Sequence, residues 1–308
     1  MSSDIIIAML VTMAAAATPI LLAALGELVV EKSGVLNLGV EGMMLIGAVI
    51  TVAVTLTTGN HLLAIACAAL AAALASLIFG VLTLTLSANQ VATGLALTIL
   101  GTGFSALFGQ PFTGQSVPLM RSPFPPELAA DPLLRMVFGH PPLVYFALLM
   151  VVGVWWFLQR TRAGLIVRAV GENDLSAHSI GYPVIRVRYL AVAFGGAMAG
   201  IAGACFPLFL TPQWVERLTT GRGWIALALV VFAAWRPFRL LAGAYFFGLM
   251  MIFEVYAKSN SAFRVLPSEF WAALPYLATV VVLVLISLRR EASSSAPACL
   301  GKPFIVTG

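Results

Sequence analysis

What this chain can fold into is governed by a succession of apolar stretches, each about as long as the 20 residues a helix needs to cross a bilayer. Full-length stretches run over 5–26, 62–86, 91–109, 189–210, 240–257 and 270–288, with a shorter one at 143–158. Inside hydrocarbon no water satisfies the backbone, so such segments survive only as internally hydrogen-bonded helices. The fold class that follows is an all-α, polytopic integral membrane protein. Composition agrees, with 61% hydrophobic and 9% charged residues where soluble domains carry roughly 25% charge. The apolar stretch from Ile5 to Leu25 has no basic residues before it and exceeds a signal-peptide core, so it reads as a retained helix.

Two further segments are short and preceded by glycine-punctuated sequence. The stretch 43–58 follows SGVLNLGVEG (33–42), and 224–235 follows TTGRG (219–223). Counting both gives nine spans, making residues 1–290 a membrane domain and 291–308 a cytoplasmic tail. In that count 11 of the 17 basic residues fall on one face, five of them in the 159–188 loop. The positive-inside rule then places the C-terminus in the cytoplasm and the N-terminus outside, in the plasma (inner) membrane. The two short segments are the second members of spans 1–4 and of spans 6–9, groups that enter the membrane in opposite senses. Paired broken helices in corresponding places of inverted halves point to a transport path. The competing reading is two unrelated tilted or re-entrant segments.

Polar residues near these breaks are the candidates for that path, since a charge in the bilayer is costly and is usually functional. Glu27, Glu31 and Glu41 flank the first break, and Asn37 and Glu41 lie among Gly34, Gly39 and Gly42. They either face a polar cavity or satisfy backbone freed by the break. Asn89, Gln90 and Thr93 open the fourth span; Gln90, Thr93, Gly94, Leu97 and Gly101 share a helical face that either lines a narrow path or packs closely on another helix. Glu254 reads as reaching the interface from the end of its span.

Enzymes are disfavoured. No HExxH, GxSxG or paired Cys/His ligand spacing occurs, and His61, His140 and His178 are scattered. Cys67, Cys205 and Cys299 lie far apart, suggesting neither disulfide nor metal site, and no cofactor is implied. No GxxxxGK[ST] loop is present, so any ATP is hydrolysed by another chain. No basic run is long enough to follow a nucleic acid. The longest cytoplasmic loop, 159–188, is arginine-rich; Leu165, Ala169 and Val170 form an apolar stripe beside Arg162, Arg168 and Glu172, suited to docking on a soluble partner or lying on lipid.

Five segments in order, SGVLNLGVEGMMLIGA (33–48), NQVATGLAL (89–97), TRAGLIVRAVGEN (161–173), GRGWIALALVVF (221–232) and APACLGKPF (296–304), resemble permease subunits of bacterial ABC importers. The likeness is narrowest to the simple-sugar and nucleoside branch of the branched-chain amino acid/sugar permease family. It implies a type II importer fold, usually of ten helices with an inverted repeat of two groups of four; this chain lacks the first of the ten. It further implies that 161–181 is the coupling region seated on an ATPase subunit, with Arg162, Gly164, Arg168, Gly171, Glu172 and Asn173 at the matching positions. Implied partners are ABC ATPase subunits, an external binding protein or lipoprotein contacting loops 110–142 and 211–223, and a second permease, a heterodimer being favoured. Branched-chain amino acids stay open as substrates. An ion-coupled secondary transporter is the rival class, but it needs a titratable relay at mid-membrane that is not evident outside the Glu41 region.

Overall fold

A computed structural model describes residues 3–125, 127, 131–259 and 296–304, with scattered positions between 267 and 284. All the extended elements are helices: α1 Ser3–Lys32, α2 Val40–Thr58, α3 His61–Gly80, α4 Gln90–Gly109, α5 Pro132–Phe138, α6 Pro142–Arg160, α7 Arg162–Glu172, α8 Asp174–Ser179, α9 Val184–Cys205, α10 Arg222–Phe232 and α11 Pro237–Ser259. Helices α3 and α9 each run on into one wider π-type turn, Val81–Thr85 and Phe206–Leu210. Seven of these helices are long and apolar enough to cross a membrane, so the chain is a multi-pass membrane protein.

The order of burial decides which helices form the centre. α2 and α9 bury 72% of their spans, whereas α4 and α11 bury 28%. α9 can sit against α1, α2 and α3 together because its GGAMAGIAGA run has little side chain. Gly200 shows how tight this is: a Cβ there would lie 2.3 Å from the Ala68 carbonyl oxygen, while one on Gly47 of α2 would lie 2.4 Å from the Gly200 carbonyl. Dispersion between backbones in contact replaces the hydrophobic drive that lipid cannot supply. On the outside, Leu70, Leu74 and Ile78 of α3 and Ile99 of α4 are exposed, as a face bathed in acyl chains requires.

One expectation about the spans needs correction. The first short segment, expected at 43–58, begins at Val40 and makes a 19-residue helix of ordinary spanning length; Val40, Glu41 and Gly42 join it because they are buried against neighbours rather than left in a loop. Of the two segments expected to be short, α10 is the one that is. Its 11 residues extend about 16 Å, half the hydrocarbon thickness. The expected span 270–288 lies largely outside the described residues. Loops 110–142 and 211–223 meet at one end of the bundle, where Val117 N–H donates to Pro212 (2.9 Å) and Met120 N–H to Leu208 (2.8 Å).

Candidate functional site

The first break, 33–39, follows α1 and is buried, so every free backbone group in it needs a partner. Side chains supply them. Glu27 Oε1 accepts from the Asn37 amide (3.1 Å), Asn37 Oδ1 from the Gly39 amide (2.9 Å) and Gln90 Oε1 from the Leu36 amide (2.8 Å). Thr98 donates its hydroxyl to the Leu38 carbonyl (2.9 Å). Asn37 is wholly buried. In this conformation it serves the break. Asn89 accepts from the Ala92 amide (3.0 Å) and so caps α4, with Thr93 half-buried one turn on. The α4 face that carries Gly94, Leu97 and Gly101 packs on residues 38–42: a Cβ on Gly101 would fall 2.4 Å from the Gly42 carbonyl oxygen.

The second break is joined to the first through Glu41. One carboxylate oxygen accepts from the Gly221 amide (2.9 Å) and the Thr219 hydroxyl, the other from the Gly223 amide (2.7 Å). These are the orphan donors at the N-terminus of α10, where the helix dipole also favours a negative charge. Gly223 has to be glycine, since a Cβ would lie 2.7 Å from Glu41 Cα. At the other end of α10, Ala234 and Trp235 both adopt left-handed backbone (φ 49° and 55°), held by the Trp235 indole N–H donating to Glu31 Oε2 at 2.6 Å. The half-helix is thus gripped at both ends by carboxylates of α1 and α2.

The arginine-rich loop folds into two helices. Thr161 caps α7 by accepting from the Gly164 amide (3.0 Å), and Asn173 caps α8 by accepting from the Ser176 amide (2.9 Å). Gly164 lies against the Phe157 carbonyl and Gly171 against the Lys32 carbonyl, where a Cβ would stand at 1.9 Å and 2.2 Å. Arg162 and Glu172 are exposed and Arg168 half-buried. The expected stripe of Leu165, Ala169 and Val170 is corrected: the face turned inward is Gly164, Val167, Val170 and Gly171, and Leu165 is exposed. Arg188, counted among the loop charges, is wholly buried and pairs with Asp174 at 3.0 Å while donating to the Ser33 carbonyl at 3.2 Å.

The tail 296–304 stitches these parts together. Cys299 N–H donates to Gly171 (2.9 Å), Gly301 N–H to Gly34 (3.1 Å) and Gln90 Nε2 to the Lys302 carbonyl (3.4 Å). Phe304 packs on His178 and under the Arg188 guanidinium. The structure therefore brings Asn37, Gln90, Gly171 and the tail to the first break, and Glu41 to the second. Thr219, Trp235, Asp174 and Phe304 carry no local sequence signal; only the glycines around Thr219 hinted at its break. No cluster of three His, Cys, Asp or Glu side chains suited to a metal occurs among the described residues.

A protein family described as the permease component of branched-chain amino acid transport systems matches residues 9–286. The chain belongs to this family. It is a permease subunit, the non-catalytic membrane component of an ABC transporter. Similar proteins include a putative glucose ABC transporter permease of Haloferax volcanii, 41% identical over 307 residues and 90% of each chain. A guanosine ABC transporter permease of Bacillus subtilis is 30% identical over 304 residues, 94% of this chain and 93% of its own. A nucleoside ABC transporter permease of Lactococcus lactis is 28% identical over 280 residues, 87% of this chain and 88% of its own. In this permease subunit the two breaks are joined at Glu41 and the arginine-rich loop is ordered as two helices.

Proposed function

We propose that this permease imports a nucleoside or a simple sugar, delivered by an external binding protein and driven by separate ATPase subunits. The observation that carries the reading is the Glu41 junction, in which two helix breaks far apart in sequence share one carboxylate. Broken helices are tolerated at membrane depth where they serve a cavity or a moving part. Their pairing supports the reading of spans 1–4 and 6–9 as inverted halves, with Asn37, Glu41, Asn89, Gln90 and Thr93 beside the path in a conformation more open than this one. Substrate class rests on the named relatives, which are glucose, guanosine and nucleoside permeases.

On this reading α7, with Arg162, Gly164, Arg168, Gly171, Glu172 and Asn173, seats on the ATPase. Closure of the ATPase dimer moves α7, and its contact with Lys32 and the first break passes that motion inward. The loop lies in the cytoplasm and the N-terminus outside, supported by the excess of basic residues on the loop's face. The second permease on this reading is a homologue rather than a second copy, supported by the further similarity of this chain to a second glucose permease of Haloferax volcanii and a second guanosine permease of Bacillus subtilis.

The test is reconstitution of the permease with its ATPase subunits and binding protein. Charge reversal at Arg168 or Glu172 is expected to leave ATP hydrolysis running while substrate uptake is lost; coupled uptake at the wild-type rate would overturn the coupling role. Thermal stabilisation of the binding protein by guanosine, ribose or glucose, with leucine as the contrasting arm, decides the substrate class.

A further inference from the structure

On the side of α7 away from its polar face lies a groove of about 590 Å³, in the size range of sites that hold whole small molecules, about 300–1,000 Å³. α6 and α9 form its walls, Val29 of α1 its floor and Ile166 of α7 its end, and Trp156 supplies the one polar side-chain atom in its lining. We propose that this groove is a binding site for one anionic phospholipid, whose acyl chain fills the apolar channel and whose phosphate is held by Arg160 and Arg186.

Three observations select a lipid. The groove is walled by two membrane-spanning helices, so the medium at its mouth is acyl chain. Trp156 is 57% exposed at the groove's end, and tryptophan in such a place marks the headgroup level. Arg160 stands one turn beyond Trp156, and Arg186 one turn before Leu190, another wall residue; both are exposed and at the same end as α7. Long cationic side chains so placed lie along the apolar surface and present their charge at the interface. Because α7 closes the groove, the bound lipid is a wedge between α7 and α6–α9, and its presence sets how far α7 can move.

Gly153 provides a clean probe. It lines the groove, and a Cβ on it meets nothing within 4 Å, so the side chain of Gly153→Phe starts into open space and occupies the channel. The full transporter, extracted in mild detergent, is weighed by native mass spectrometry and its ATPase and uptake are measured in nanodiscs of phosphatidylglycerol or phosphatidylcholine. Wild type is expected to retain one phosphatidylglycerol per copy of this chain, and Gly153→Phe none, at an unchanged melting temperature. Each arginine at a headgroup accounts for about fivefold in affinity, so Arg160→Gln with Arg186→Gln lowers phosphatidylglycerol retention roughly 30-fold and removes the preference over phosphatidylcholine. Lipid retained equally by Gly153→Phe, or no lipid retained by wild type, overturns the proposal. So does a cross-link from a cysteine at 153 to a helix of the second permease, which would make the groove a subunit interface.

Discussion

Glu41 of α2 and Gly223 of α10 meet in a hydrogen bond of 2.7 Å across 182 residues of sequence, with no room between their backbones for a methyl group. Gly223→Ala forces the half-helix off the carboxylate, an overpacking that costs about 1–3 kcal/mol. Substrate uptake by the reconstituted transporter is expected to fall about fivefold or more, since 1.4 kcal/mol is a factor of ten, while the chain still inserts and binds its ATPase.

Removing the carboxylate is worse than weakening it. Glu41→Ala leaves the Gly221 and Gly223 amides and the Thr219 hydroxyl without their acceptor, each orphaned group costing about 1–3 kcal/mol. Glu41→Gln keeps one acceptor oxygen. The expected order of apparent melting temperature in detergent is wild type, then Gln, then Ala; equal values for Ala and wild type would contradict the role given to this side chain.

The buried Arg188–Asp174 pair holds α8 to the start of the first break. Asp174→Ala leaves a buried cation without its counter-charge, a loss of about 3–5 kcal/mol. Low yield of folded protein is expected, with partial recovery when Arg188→Met is added, because the double variant buries no charge. Fluorescence size-exclusion chromatography of the single and double variants measures both.

Tail residues hold their partners chiefly through backbone groups, so side-chain identity matters little except where backbone shape demands it. Cys299→Ala is expected to be neutral. Gly301 has φ 74°, and a β-branched residue there costs roughly 1–2 kcal/mol or more. Gly301→Val should release the tail, shown by deuterium exchange at the amide of position 301 that is faster than in wild type and by ATP hydrolysis that no longer depends on the binding protein.

His140 lies outside the spans, in the loop before α6, and donates Nε2–H to the Met136 carbonyl at 3.0 Å, while its buried Nδ1 has no partner. Burial holds its pKa below the ordinary value of 6.5. A histidine depressed in the folded state contributes stability that is full above the unfolded value of 6.5 and is lost as pH falls below it, through the depressed folded value. Deuterium exchange over residues 131–141 should therefore quicken between about pH 7 and pH 5, and His140→Gln should flatten that dependence.

Hydropathy alone determined that the chain is a helical membrane protein, because a backbone in lipid has few ways to satisfy itself and apolar length reads directly as a span. The glycine runs before residues 43 and 224 likewise marked both breaks, since glycine is the residue that lets a chain turn or approach closely. What sequence could not assign was partnership. Asn37 and Gln90 were legible as polar residues near a break, yet the bond of Gln90 to Leu36 and that of Asn37 to Glu27 depend on how α4 and α1 dock on the break. Arg188 looked like a loop charge of the positive-inside kind, and only the fold turned it inward onto Asp174. The union of the two breaks at Glu41 was decided by tertiary structure, because it joins donors and an acceptor on opposite halves of the chain, and no local periodicity carries that information.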